Sequence, residues 1–327
     1  MSNPSAPKES PSKRRALSVW ELPKLLHSVH RYRKSALSVV RQRPHYTAIL
    51  AFIHRNRFAV ASQVQRRFGK YLGSDRTTRR HLAEMESLGD LGVAEANNTS
   101  PLWPKVYFVT RRGLAKLKQA LHEKGQEWSE SFKDRRRSEG QSAQHVLHEI
   151  FITEFLLMAW EAAQTHDDLE ILMMQRRSLA KHDAFKVVVA GRSTRLQPDG
   201  MFLYRQQGKG MMCCFVEMDL GSMSLRQMDA KFRRYQAWSE SANAMSFLKS
   251  LYARNGASNP TANFRILMVI GGRDQKAEQR RLAHLFDLTS QIQGSIRNRM
   301  WLTTIENIRA CAQPALILDG SLWQRHL

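Results

Sequence analysis

Acidic residues crowd one short stretch of this chain. Asp199 stands in Pro198-Asp199-Gly200, while Glu217 and Asp219 end the apolar run that begins at Met211. Successive side chains on a strand face opposite ways, so Glu217 and Asp219 are expected on one face. Pairing of Met201–Tyr204 with Met211–Asp219 across Gly208-Lys209-Gly210 would bring Asp199 to the same end of a sheet. Carboxylates held that close repel one another unless a cation lies among them, and hard oxygen donors suit Mg2+ or Mn2+. Asp199, Glu217 and Asp219 are therefore the candidate metal ligands. The competing reading makes them strand-end acids that face solvent.

The elements around these acids spell an α/β domain. A helix over Gln144–Gln164 precedes strand-like runs at Leu169–Met174, Phe185–Ala190, Met201–Tyr204 and Met211–Asp219. A long helix over Ser224–Arg254 carries Phe232, Tyr235 and Trp238 on its sheet-facing side. Strand Phe264–Ile270, a helix over Gln275–Gln293, strand Met300–Thr304, a short helix and a strand at Ala315–Leu318 complete the pattern. That order predicts a sheet covered by helices on both faces. Neither a G-x-G-x-x-G loop nor a Walker A lysine motif is present.

Upstream, Tyr46, Ile49, Leu50 and Ile53 follow helical spacing, and a second helix fits Val60–Leu72. Ser74 or Asp75 is a good N-cap for a third helix, with Leu82, Met85 and Leu88 on its buried side. Val93–Thr110 reads as a β-hairpin turning at Asn97-Asn98 and returning through Lys105–Val109, followed by a helix over Arg112–Lys124. Three helices and a hairpin in this order predict a winged helix over residues 44–125, whose third helix enters the major groove by its N-terminal end. Arg76, Thr78, Arg79 and Arg80, with Lys105, Arg111 and Arg112, are the candidate DNA contacts. Arginine grips phosphate more often than it reads bases. The alternative is a solvated cationic face on a protein-binding winged helix. Residues 1–43 read as a basic arm, disordered over 1–15, with a short helix around Trp20–His30; residues 126–142 read as a linker, and 143–327 as the second domain.

Charge narrows the class of partner. Lys and Arg number 51 against 29 acids, a net +22 with pI near 10.5. Residues 1–140 alone carry 28 basic and 12 acidic side chains. Such a field favours polyanions, DNA ahead of an anionic membrane surface. No apolar run approaches the roughly 20 residues of a membrane span, and the N-terminus lacks a signal-peptide core. Cys213 and Cys214 are strand neighbours on opposite faces, which argues against disulfides or zinc and for a reducing cytoplasm.

A histidine-bearing first helix, Pro198-Asp199, the FVEMDLGS strand end with Glu217-x-Asp219 and Gly221, and Lys231-Phe-x-x-Tyr235 together resemble the plasmid replication–relaxation family. The resemblance extends over nearly all of the chain beyond Pro44. It implies an N-terminal winged helix joined to an α/β domain with a PD-(D/E)XK restriction-endonuclease-like core, related to the non-HUH mobilisation relaxases. It implies a DNA-binding protein of a plasmid or mobile element, acting as a metal-dependent endonuclease or nickase in replication or transfer. Asp199 then takes the PD aspartate and Glu217 the acid of the next strand. Asp219 stands where the family pattern has lysine, and Lys231 is the candidate replacement. Glu149 or Glu154 would be the acid of the first helix, near His145 and His148. Mg2+ or Mn2+ held by the acids would polarise the phosphate and activate water, and Lys231 would neutralise the phosphoryl oxygens. A salt bridge from Lys231 to Asp219 is the structural alternative. Two further readings stay open: an inactive replication or transcription regulator working through its winged helix, and a DNA-processing subunit of a transposition or defence complex. Other replication, transfer or transposition proteins would be the further partners.

Overall fold

A computed structural model describes residues 29–33, 45–96, 104–123, 142–176, 183–258, 263–311, 316–319 and 321–325. The expected disordered arm, most of the Trp20–His30 helix, the Asn97-Asn98 turn and all but the last residue of the 126–142 linker lie outside the described residues. Val29 and His30 belong to a strand, β1 (Val29–Arg33), rather than to a helix.

The N-terminal unit contains α1 (Tyr46–Asn56), β2 (Ala59–Val60), α2 (Ala61–Leu72), α3 (Asp75–Ser87), β3 (Leu91–Ala96), β4 (Val106–Val109) and α4 (Arg111–Glu123). Its four strands form an antiparallel sheet in the order β1-β3-β4-β2. Ile49, Leu50 and Ile53 of α1 meet Val64, Phe68, Leu82 and Met85 in one buried cluster, as their helical spacing requires. Ser74 caps α3, its hydroxyl accepting from the Thr77 N–H at 3.2 Å.

The second unit starts with α5 (Ala143–Gln164), capped by Ser142, and continues through β5 (Leu169–Arg176) to a small hairpin of β6 (Lys186–Val189) and β7 (Arg192–Arg195). Ala190 and Gly191 join that hairpin with φ of 49° and 74°, the paired positive angles of a tight two-residue turn. The expected Phe185–Ala190 strand is thus β6 of a separate sheet, with Phe185 in a preceding 3-10 turn.

After β8 (Gly200–Gln206) and β9 (Gly210–Asp219) come α6 (Leu225–Ser239), α7 (Ala242–Arg254), β10 (Phe264–Ile270), α8 (Gln275–Ser290), β11 (Met300–Thr304), α9 (Ile305–Ala310), α10 (Leu316–Asp319) and β12 (Gln324–Arg325). The main sheet runs β12-β11-β10-β9-β8-β5, with β9, β10 and β11 parallel and the outer pairs antiparallel. Two expectations change. The single Ser224–Arg254 helix is two helices, because the Ser241 hydroxyl accepts from the Ala244 N–H at 3.1 Å and starts a new one. The run ending at Leu318 is helical, a four-residue apolar run being ambiguous between the two periodicities.

The sheet is buried on both sides. Cys214, Val216 and Met218 of β9 pack toward α5, α9 and α10; Cys213 and Phe215 pack toward α6, α7 and α8. A mixed α/β sheet with helices on both faces matches the coarse expectation from the sequence. Among the described residues no helix is long and apolar enough to cross a membrane. Trp238 is fully buried, stacks on Phe185 at 5.5 Å and donates its ring N–H to the Ala184 carbonyl at 2.8 Å. Trp238→Ala is expected to remove about 3–5 kcal/mol of stability, read as a lowered midpoint in urea unfolding.

Candidate functional site

The acids gather at the C-terminal end of β9. The Asp199 N–H donates to the Val216 carbonyl at 3.1 Å, which ties the Pro198-Asp199-Gly200 segment to the central strand. In return, Asp199 Oδ2 accepts from the Met218 N–H at 3.0 Å. Glu217, one residue before Met218, points to the α6 face. Lys231 and Tyr235 sit four residues apart on α6 and so share one side of that helix. Both reach Glu217: the Lys231 ammonium donates to Oε2, and the Tyr235 hydroxyl donates to Oε1 at 2.5 Å. Lys231 Nζ also lies 3.9 Å from Asp199 Oδ2. The ammonium therefore stands between the two carboxylates.

From the other face of the sheet, His148 of α5 places Nε2 at 3.0 Å from the Met218 carbonyl and 3.3 Å from Asp199 Oδ2. Its Nδ1 is buried, with no hydrogen-bond partner among the described residues. Paired with His145, His148 stood out in the sequence only as a neighbour of the helix acids. Its distance to Asp199 depends on tertiary packing that no local spacing reveals.

Asp219 does not join this group. Its Oδ1 accepts from the Gly221 N–H at 3.0 Å and its Oδ2 from Arg281 Nε of α8 at 2.7 Å. Arg281 continues to the Met223 carbonyl at 2.6 Å, so Asp219 pins the chain after β9 to α8. Lys231 accordingly pairs with Glu217 and not with Asp219. Glu149 and Glu154 are also elsewhere engaged. Glu149 is fully buried and bonds the Arg176 guanidinium, with Arg57 Nη1 at 3.4 Å. Glu154 binds Gln63 at 3.1 Å and Arg66, both on α2. These two glutamates join the N-terminal unit to α5.

The donor set bears directly on a metal. Among the described residues no group of three or more His, Cys, Asp or Glu side chains can hold one ion. The three-carboxylate cage is thus reduced to the pair Asp199 and Glu217. A pair still suits Mg2+, which keeps several waters and takes one or two carboxylates together with substrate phosphate. Burial pushes the Glu217 carboxyl from its ordinary 4.5 up to about 8, against the opposing pull of Lys231. The Tyr235 hydroxyl is raised well above its usual value by the same burial, is fully enclosed and is committed to Glu217, which leaves it no access to a phosphate.

The expected DNA contacts divide. Arg76, Arg79 and Arg80 are exposed on the first turns of α3, with Arg79 Nη2 at 2.8 Å from Asp75. Thr78 turns inward, fully buried with its hydroxyl bonded to Gln65, so it offers nothing to an external ligand. Lys105 is exposed and pairs with Glu86 at 3.0 Å; Arg112 lies 3.3 Å from buried Asp90; Arg111 is exposed beside it.

A family model described as replication-relaxation matches residues 50–246, spanning α1 through the start of α7. No curated protein and no solved structure matches the chain.

The raised Glu217 carboxyl has a measurable sign. The folded state favours its protonated form, so this contribution to stability is complete below 4.5 and lost as pH rises through about 8. Glu217→Gln should therefore gain melting temperature relative to the native chain progressively across that window. A difference between the two proteins that stays constant with pH would contradict the assignment.

Proposed function

Since the chain belongs to the replication-relaxation family, we propose that it is a DNA-binding protein of a plasmid or mobile element that cuts a DNA strand during replication or transfer. The observation that carries this reading is the meeting of Asp199, Glu217 and Lys231 at one end of the central strand. Two carboxylates and an ammonium at a sheet end form the working set of a PD-(D/E)XK-like core. Here the ammonium comes from the helix after the second acid rather than from position 219. The N-terminal unit is read as a winged helix, with α3 as the helix that meets DNA and Arg76, Arg79 and Arg80 on phosphates.

Asp199 and Glu217 would hold Mg2+ or Mn2+, which when bound polarises the scissile phosphate and lowers the pKa of water. The remaining chemistry belongs to the chain. Lys231 presents a fixed positive charge where negative charge grows on the phosphoryl oxygens. Tyr235 holds Glu217 in one rotamer through its 2.5 Å hydrogen bond, and His148 holds Asp199 from the opposite side. Arg281 keeps Asp219 out of the group, so its charge does not add to the repulsion between the other two acids.

A second reading has its own observation. Glu217 already has both oxygens engaged by Lys231 and Tyr235, as an acid with a purely structural role in a DNA-binding regulator would. Nicking of supercoiled plasmid in Mg2+ or Mn2+ separates the two. The native chain is expected to convert supercoiled DNA to open circles, and Asp199→Ala and Lys231→Ala to lose at least 100-fold in rate, the ordinary scale for one electrostatic stabiliser. Duplex affinity should survive in both variants. Equal nicking by native and variant chains would end the catalytic reading, and binding without nicking in any divalent ion would leave the regulator.

A separate expectation concerns α3. Replacing Arg76, Arg79 and Arg80 together by Ala should weaken duplex binding and reduce the slope of log affinity against log salt by roughly 2–3. An unchanged slope, measured by anisotropy across a salt series, would remove α3 from the interface.

A further inference from the structure

Between the two units lies a cavity of about 300 Å3, walled by α1 and α2 on one side and by α5 and β5 on the other. Its lining includes Arg55 and Arg67, together with Arg176, whose guanidinium is already bonded to Glu149. Trp160 and Phe52 supply aromatic surface, with Met174 completing an apolar floor. The Arg67 guanidinium already lies 4.6 Å from the Trp160 ring centroid. We infer that this cavity seats one unpaired nucleotide of a bound DNA strand, its base against Trp160 and Phe52 and its phosphate on Arg55 and Arg67.

Size, charge and position each support the assignment. A duplex cannot enter 300 Å3 of space, whereas a pocket of this volume that sets aromatic and apolar side chains beside arginines and amides matches a ligand with one planar face and one anionic group. Aromatic side chains accept any base through its π face, and arginine adds both a stacking plane and a phosphate grip. Arg55 and Arg67 are both exposed at the cavity rim. Each bears the same charge; partial burial, and to a smaller extent the Arg67 charge, lowers the Arg55 pKa. A phosphate at the rim would meet both guanidinium groups, and DNA is the polyanion that the chain's net +22 favours. Position adds the functional link. Arg176 on the cavity wall is the register partner of Gly200, the residue directly after Asp199. A strand with one nucleotide against Trp160 that continues past Arg176 would therefore run toward the Asp199 end of the sheet.

The inference rests on the nucleic-acid part of the proposed function but not on cleavage, and binding measurements alone test it. The full chain is titrated, without divalent ions, against a labelled duplex with a short single-stranded overhang and against the same duplex made blunt. The overhang duplex should bind more tightly. Trp160→Ala and Arg67→Ala should each weaken overhang binding about tenfold and leave blunt binding within about twofold, while Trp160→Phe retains the overhang preference. Loss of both substrates together, or of neither, overturns the inference. Absence of an overhang preference, with a deoxynucleoside monophosphate binding in a Trp160-dependent way, overturns it in favour of a free nucleotide. If the native chain binds neither DNA, the broader reading fails; if it binds both equally, only the cavity assignment fails. Thermal melting of each variant verifies that it is folded, and both side chains lie outside the fully buried core.

Discussion

A carboxylate with 1% of its surface exposed must be given partners, and Glu217 organises the second unit through the ones it takes. Leaving a buried carboxyl group without hydrogen-bond partners costs about 1–3 kcal/mol, more when it is ionised, so the Lys231 ammonium and Tyr235 hydroxyl are needed as soon as β9 is covered. Both come from α6, which fixes that helix in rotation and along its axis. Once α6 is fixed, Trp238 packs edge-on against Phe215 and Phe264, Phe232 joins the same buried cluster, and the aromatic core of that face closes. A hydrophobic face alone would tolerate sliding; the two bonds to Glu217 remove that freedom. The same bonds keep Lys231 within reach of Asp199, so the constraint that orders the fold also assembles the candidate site.

The other face depends on α5, which is apolar on nearly every side because it lies between the sheet and the N-terminal unit. Phe58, Val60, Val106 and Phe108 of that unit share a core cluster with Ile150, Phe151 and Phe155. Polar anchors cross the same junction. Gln63 donates to the Ile150 carbonyl at 2.9 Å, and Arg66 grips Glu161 through two bonds of 2.6 Å each. Mixed apolar and charge-assisted contact of this kind is expected to hold two units in one orientation, since bidentate arginine pairs specify direction as well as distance.

Local periodicity made much of this legible. Alternation along Phe215–Asp219 identified Glu217 and Asp219 as facing the same way, and the helix after β9 offered Lys231 and Tyr235 at matching spacing. Partner choice was not legible: Arg281 lies 62 residues from the Asp219 it captures, and no local pattern separates a metal ligand from one arm of a salt bridge. The positions of Glu149 and Glu154 were hidden for a different reason. On a helix buried all round there is no polar stripe to show where an acid points. Thr78 had an available signal, because it lies four and seven residues before Leu82 and Met85 and hence on their buried stripe. The β6–β7 hairpin was half visible, since Arg192–Arg195 carries no apolar alternation to mark a strand.

α5 connects these parts physically. Its first turns hold His148 against Asp199 and Met218, while its later turns carry Glu154 and Glu161 for Arg66 of α2 and Trp160 for Arg67. The helix rises about 1.5 Å per residue, so His148 and Trp160 are roughly 18 Å apart along one rigid element. α2 packs on α3, whose exposed arginines are the proposed duplex contacts. A duplex gripped at α3 would therefore meet the acids at a distance set by one helix and not by a linker. Separation of this kind would serve the proposed function, in which a duplex is bound at one place and a strand is cut at another. The cavity beside Trp160 lies between those two places.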